Sequence, residues 1–177
     1  MATFYDRITE EQQAFIARQH LFFVATAHGT GRINCSPKGM DTFRVLGPNR
    51  VGYLDLTGSG IETAAHLQHD GRITIMMCSF EQKPNILRLY GRGRFVRPPD
   101  TEWDSLMDNF ETIRGQRQII VVDVESTQDS CGFAVPRYQF IEPRDTLVRK
   151  RETETDEAIA AKIAANTKSI DGLPVSF

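Results

Sequence analysis

Apolar positions in this chain alternate more often than they recur at helical spacing, so strands dominate the expected elements. The run Leu21-Phe-Phe-Val-Ala-Thr-Ala27 is apolar, aromatic and β-branched, which predicts a core strand. His28-Gly-Thr-Gly31 reads as a hairpin turn into a polar strand over 32–38. Gly47-Pro-Asn49 marks another turn, and the chain returns through Arg50-Val-Gly-Tyr-Leu-Asp55. Further strands are expected over 72–78 and 118–124, with a last, irregular one over 131–138. Ile86-Leu-Arg-Leu-Tyr-Gly-Arg-Gly-Arg-Phe-Val96 is long and alternating, and Gly91 and Gly93 mark a bulge or bend within it.

Helical spacing is confined to short pieces. Thr9-Glu-Glu-Gln12 has the form of a capping box and predicts a helix over 9–20. A second helix is expected over 61–69, and a third from Pro98-Pro-Asp100 to about 109. Six or seven strands joined largely by hairpins, with three short helices, imply a mostly antiparallel barrel with the helices packed outside. A doubly wound parallel sheet fits this order poorly.

From Arg149 the pattern changes. Residues 150–157 are charged, and 158–166 are helix-prone with Ile159 and Ile163 four apart, a narrow apolar stripe. The chain therefore divides into a barrel domain over 1–148 and a C-terminal helical tail over 149–177. Such a tail either frays or docks on the barrel or a partner subunit. Ile170, Leu173, Val175 and Phe177 favour docking.

Composition narrows the class. A length of 177 residues, 40% hydrophobic and 25% charged, is that of one soluble domain with a real core. A net charge of −2 gives no reason to expect nucleic acid. No apolar run approaches the roughly 20 residues of a membrane helix, and the N-terminus lacks a secretory layout. Three scattered cysteines without a Cys-x-x-Cys pair fit a reducing cytoplasm and argue against a disulfide framework or zinc knuckle.

The candidate chemistry lies in two stretches. Arg32, Asn34, Ser36 and Lys38 recur at a spacing of two, so an extended strand projects them from one face. Thr57-Gly-Ser-Gly60 ends the Tyr53 strand and opens the 61–69 helix, where free N–H groups and the dipole favour an anion. Together they suit a phosphorylated ligand with a polar ring system. The plainer alternatives are edge-strand charges for Arg32 and Lys38 and an ordinary turn for the Gly-Ser cluster. Glu62 reads as a first-turn acid, and His66 and His69 read as solvent-facing rather than metal ligands. Cys35 is expected to be a small buried side chain, Cys131 a structural thiol, and Trp103 and Met107 a packing pair.

Taken in order, Asn34-Cys-Ser-Pro-Lys-Gly, Tyr53-Leu-Asp-Leu-Thr-Gly-Ser-Gly-Ile-Glu-Thr63, Arg72-Ile-Thr-Ile-Met-Met-Cys-Ser-Phe80 and Ile86-Leu-Arg-Leu-Tyr-Gly91 resemble a known family. The chain is similar to the pyridoxamine 5′-phosphate oxidase-like, FMN-binding flavoproteins of the split β-barrel fold over about residues 20–145. That resemblance implies a mainly β fold and a homodimer with FMN at the subunit interface. It carries Arg32, Asn34, Ser36, Pro37 and Lys38 to the flavin ring and phosphate, Ser59 and Thr63 to the phosphate, and Arg88 to the ring side. Arg88 has the alternative of pairing with a cross-strand acid.

Two departures qualify the resemblance. The basic pair usual before the phosphate helix is missing, with Ile61-Glu62-Thr63 in its place, so weaker FMN retention is expected. The substrate-binding Arg-x-His of true pyridoxamine phosphate oxidases is absent as well, since residues 140–177 hold no histidine. The expected function is an FMN-dependent oxidoreductase acting on a small molecule, with no catalytic residue assigned. The alternatives are a flavin-binding carrier or sensor, or a split barrel using deazaflavin or haem.

Overall fold

The computed structural model describes residues 2–176, so Phe177 of the expected tail set lies outside the described residues. Its centre is an antiparallel sheet whose strands follow the predicted alternation closely. β1 (Thr3–Tyr5), β2 (Phe22–Thr26), β3 (Asn34–Lys38), β4 (Phe43–Gly47), β5 (Arg50–Leu56), β6 (Arg72–Cys78), β7 (Ile86–Val96) and β8 (Gln116–Ser130) form one eight-stranded sheet. The strand order is β3-β2-β6-β7-β8-β5-β4, with β1 added to β8. Among the described residues no ladder joins β3 to β4, so the barrel stays open along that seam, as in a split barrel.

Period-two burial explains the curvature. Phe22 and Val24 of β2, Ile73, Ile75 and Met77 of β6, and Leu87 and Leu89 of β7 point to one interior cluster with Tyr53 and Ile120. Residues of the opposite parity on β5 and β8, Leu54, Ile119 and Val121, pack outward under α3 (Trp103–Met107). Both faces of these two strands are thus covered. The bulge expected near Gly91 is present as a register shift between Tyr90 and Gly91. A side chain at 91 would approach the Asp123 carbonyl oxygen to 2.1 Å, so the strands close here only over glycine.

α1 (Glu10–Ile16) starts at the predicted capping box, with Thr9 and Gln12 bonding each other's backbone reciprocally. α2 (Glu62–His69) buries Ala64, Ala65 and Leu67 and packs against β7, β2 and β6. The tail contains α4 (Thr146–Glu152) and α5 (Asp156–Ala165), then a short hairpin bridged at Lys168 and Pro174. Among the described residues no helix is long and apolar enough to cross a membrane.

Several expectations need correction. Residues 131–138 are irregular chain rather than a strand, because Gly132 adopts a φ of +65° and the ladder ends at Ser130. β8 begins at Gln116 and runs on to Ser130, well beyond 118–124, because its second half pairs with both β7 and β1. The helix expected to reach 109 spans only Trp103–Met107. Cys35 is exposed, since its neighbours Asn34 and Ser36 take the inward face of the edge strand.

Candidate functional site

β3 carries its polar residues inward at alternate positions, and α2 lies where they point. Asn34 Nδ2 donates to Thr26 Oγ1 at 3.2 Å and to Thr63 Oγ1 at 3.2 Å. Ser36 Oγ donates to Asn34 Oδ1 at 2.9 Å, and Thr26 Oγ1 is hydrogen-bonded to His66 Nδ1 at 3.0 Å. The amide of Asn34 therefore ties an edge strand to the first turn of a helix. His66, expected at the surface, is buried because α2 turns this residue, like Ala65, toward the sheet. Its Nε2 has no partner.

The β5–α2 turn holds a second polar group. Lys38 Nζ lies 3.4 Å from Asp55 Oδ1, across the open seam from β3 to β5. Arg117 Nε and Gln118 Nε2 each donate to Asp55 Oδ2 at 2.8 Å, while Arg117 Nη2 donates to the Gly60 carbonyl at 2.9 Å. Burial alone would push the Asp55 carboxyl up; Arg117 and Lys38, with the donated bonds, outweigh it and hold the group below its usual range. Arg97 reaches Gln118 from the side, and burial, reinforced by repulsion from Arg117, lowers its pKa to about 10.

Like His66 Nε2, Arg117 Nη1 and Glu62 Oε2 are buried at this end without a hydrogen-bond partner among the described residues. The Arg117 side chain is only 5% exposed. The Tyr53 hydroxyl is buried near Thr63, and burial, then Asp55, raise its pKa well above the usual tyrosine range. The N-cap residue Ile61 gives no side-chain bond to the α2 N-terminus. Lys38 and Arg117 thus share the Asp55 carboxylate beside a helix start that carries Glu62 in its first turn.

The remaining sequence candidates lie elsewhere. Pro37 is exposed on the opposite face of β3, in a cross-strand row with Phe23, Met76 and Arg88. Arg88 finds no acid there and donates to Ser130 Oγ at 3.2 Å. Beside this row an open groove of about 370 Å³ is lined by Ala25, Ile33, Arg72, Thr74 and Tyr90. Ser59 is exposed at the turn. Arg32 precedes β3 rather than belonging to it, with its side chain 69% exposed. Its guanidinium pairs with Asp171 of the tail, and its backbone N–H donates to the same carboxylate at 2.7 Å. The structure thus gathers Asn34, Ser36, Lys38 and Thr63 at one end of the barrel and sets Pro37 and Arg88 on the outer face.

Asp55, Arg117, Tyr53, Thr26 and His66 were missed by sequence reasoning. Only Asp55 carried a signal, as a charge inside an otherwise apolar strand. Arg117 meets it across 62 residues of sequence, which no local pattern reveals.

An open antiparallel sheet, with no ladder between β3 and β4 among the described residues, defines the class as a split-barrel protein. Within that class, the sequence model described as pyridoxamine 5′-phosphate oxidase matches residues 8–131. A pyridoxamine 5′-phosphate oxidase family protein of Aspergillus flavus, ustO, is 34% identical across 98% of this chain and 78% of its own length. This chain belongs to the pyridoxamine 5′-phosphate oxidase family. Two solved structures share the fold. A variant of HupZ from Group A Streptococcus aligns with a TM-score of 0.57 at 19% identity, covering 70% of this chain and 99% of that one. A protein described as FAD-binding, from Mycobacterium smegmatis, aligns at 0.51 and 12% identity, covering 71% and 97%.

Proposed function

We propose that this chain binds FMN and works as a flavin-dependent oxidoreductase on a small molecule, as a homodimer. The observation that carries the reading is the buried Arg117 guanidinium near the start of α2. There, Lys38 and Arg117 share Asp55, and one guanidinium nitrogen has no partner among the described residues. A phosphate would satisfy that nitrogen, and membership of the family together with a neighbour described as FAD-binding supports a flavin as its bearer.

The residues present fit such a group. Lys38, Arg117 and, at the entry to β3, Arg32 would offer charge, Thr63 and Ser59 hydroxyls, and the first turn of α2 its N–H groups. Asn34 and Ser36 would orient the ring side through amide and hydroxyl, while Pro37 and Arg88 line the outer face on which a partner subunit would close. When bound, FMN supplies hydride chemistry that side chains lack. The protein's share is to hold the cofactor, exclude water and keep a cation near developing negative charge. Pyridoxamine phosphate is not the proposed substrate, because the C-terminal Arg-x-His is missing.

The test is a fluorescence titration of the purified protein with FMN and with riboflavin. The reading expects FMN to bind at least about tenfold more tightly, a difference of about 1.4 kcal/mol. Lys38→Ala should erase most of that preference and leave riboflavin affinity in place. Equal affinities of the wild type for the two flavins would remove the phosphate from this site.

A further inference from the structure

The segment after α5 folds back against the barrel. Ser169 N–H donates to the Leu173 carbonyl at 2.9 Å, Gly172 N–H to the Ser169 carbonyl at 3.0 Å, and Leu173 N–H to Ser169 Oγ at 3.1 Å. These bonds close a small hairpin with its own turn, at whose tip Gly172 takes a φ of +80°.

Its two ends are attached differently. At the base, Val175 is buried against Ile61, Ala64 and Ala65 of the α2 segment. The Pro174 carbonyl is hydrogen-bonded to His69 Nε2 at 3.0 Å, and Ser176 N–H donates to Gln68 Oε1 at 3.0 Å. Leu173 packs against the same cluster, and only the outermost part of the tip, Ile170 and Asp171, is held by polar contacts. Ile170 N–H donates to Glu62 Oε1 at 2.9 Å, and the Asp171 carboxylate takes both the guanidinium and the backbone N–H of Arg32. The Ile170 side chain is 70% exposed and anchors nothing. Gly31 permits the approach, since a Cβ there would come within 2.8 Å of Asp171 Oδ2.

The tip thus spans from the arginine before β3 to the first residue of α2, and it brings a carboxylate to the same end of the barrel. We infer that the hairpin over Lys168 and Pro174 is a strap across the α2 end of the flavin site, with Asp171 as the internal anion that the FMN phosphate displaces from Arg32. The inference rests on the flavin reading above.

Energetics allow the exchange. An ion pair with one member largely in solvent adds little to stability, and a phosphate carries more charge and more acceptor oxygens than a carboxylate. The apolar base at Val175 lets the tip lift while the strap stays attached. Glu62, in the position where a basic pair would otherwise grip the phosphate, serves here as the latch for Ile170. This also gives the missing basic pair a physical counterpart: the site is kept weak and covered until a ligand with the right charge arrives.

The experiment compares wild type, Asp171→Asn, Arg32→Ala and the double variant by fluorescence titration with FMN and riboflavin. Asp171→Asn should tighten FMN about threefold to tenfold and leave riboflavin unchanged. That gain should vanish in the Arg32→Ala background. The riboflavin titration reports that each variant is folded. Unchanged or weaker FMN binding by Asp171→Asn overturns the strap, as does an FMN affinity indifferent to Arg32→Ala. A wild type that binds the two flavins equally overturns the flavin reading beneath it, so the two failures are distinct.

Discussion

Asp55 shows at the scale of one residue why the site end of this barrel is stable although it is polar. A buried carboxylate survives only with partners, and Lys38, Arg117 and Gln118 supply them. Removing one member of such a group costs about 3–5 kcal/mol, so Arg117→Met should lower the urea midpoint sharply. Because the folded pKa of Asp55 lies below its unfolded value, its contribution is full above about pH 4 and is lost as pH falls through the folded value. The urea midpoint of the wild type should therefore fall more steeply below about pH 4 than that of Asp55→Asn, and parallel curves would refute the assignment. Sequence showed half of this group. Lys38 stood out by its spacing on β3, but Arg117 lies just before the stretch 118–124 that reads as a strand, and β8 starts one residue before it. His66 was misjudged for a related reason: residue type suggests solvent, whereas the packing of α2 against β2 and β6 buries it beside Thr26.

Among the elements, those with a strong local signal were legible in advance. β2 follows from its apolar, aromatic and β-branched run, β7 from its alternation, and α1 from its capping box. Thr9→Ala should cost about 1 kcal/mol, read as a shift in thermal midpoint, because it frees the cap of a helix only seven residues long. The bulge in β7 is equally local in sequence. Gly91→Ala should cost about 1–3 kcal/mol, because its Cβ would meet backbone rather than a movable side chain. A midpoint unchanged from wild type would show that the strands can part there at little cost. Elements defined by distant pairing were not legible. The polar second half of β8 is a strand because β7 and β1 flank it, and 131–138 is not one although Phe133 and Val135 alternate. There a left-handed Gly132 turns the chain away, and a side chain at that position would crowd Asn85.

For the molecule as a whole, the exposed apolar residues matter most. Phe133 is 82% exposed and Ile141 87%, on the same irregular stretch as Tyr138 and Phe140. Large apolar side chains gathered on one segment mark a contact surface, which agrees with the proposed homodimer. Ile141→Asp should shift the mass in solution from dimer toward monomer and weaken FMN binding together with it; a monomer that retained FMN fully would separate the site from the interface. The central claim is that a flavin phosphate sits at the start of α2 between β3 and the C-terminal strap. A crystal structure of the protein with excess FMN tests it most directly. Phosphate density beside Lys38 and Thr63, with Asp171 withdrawn from Arg32, is the predicted result. FMN bound elsewhere, or an end of the barrel still closed by the Arg32–Asp171 pair and free of phosphate, would contradict the account.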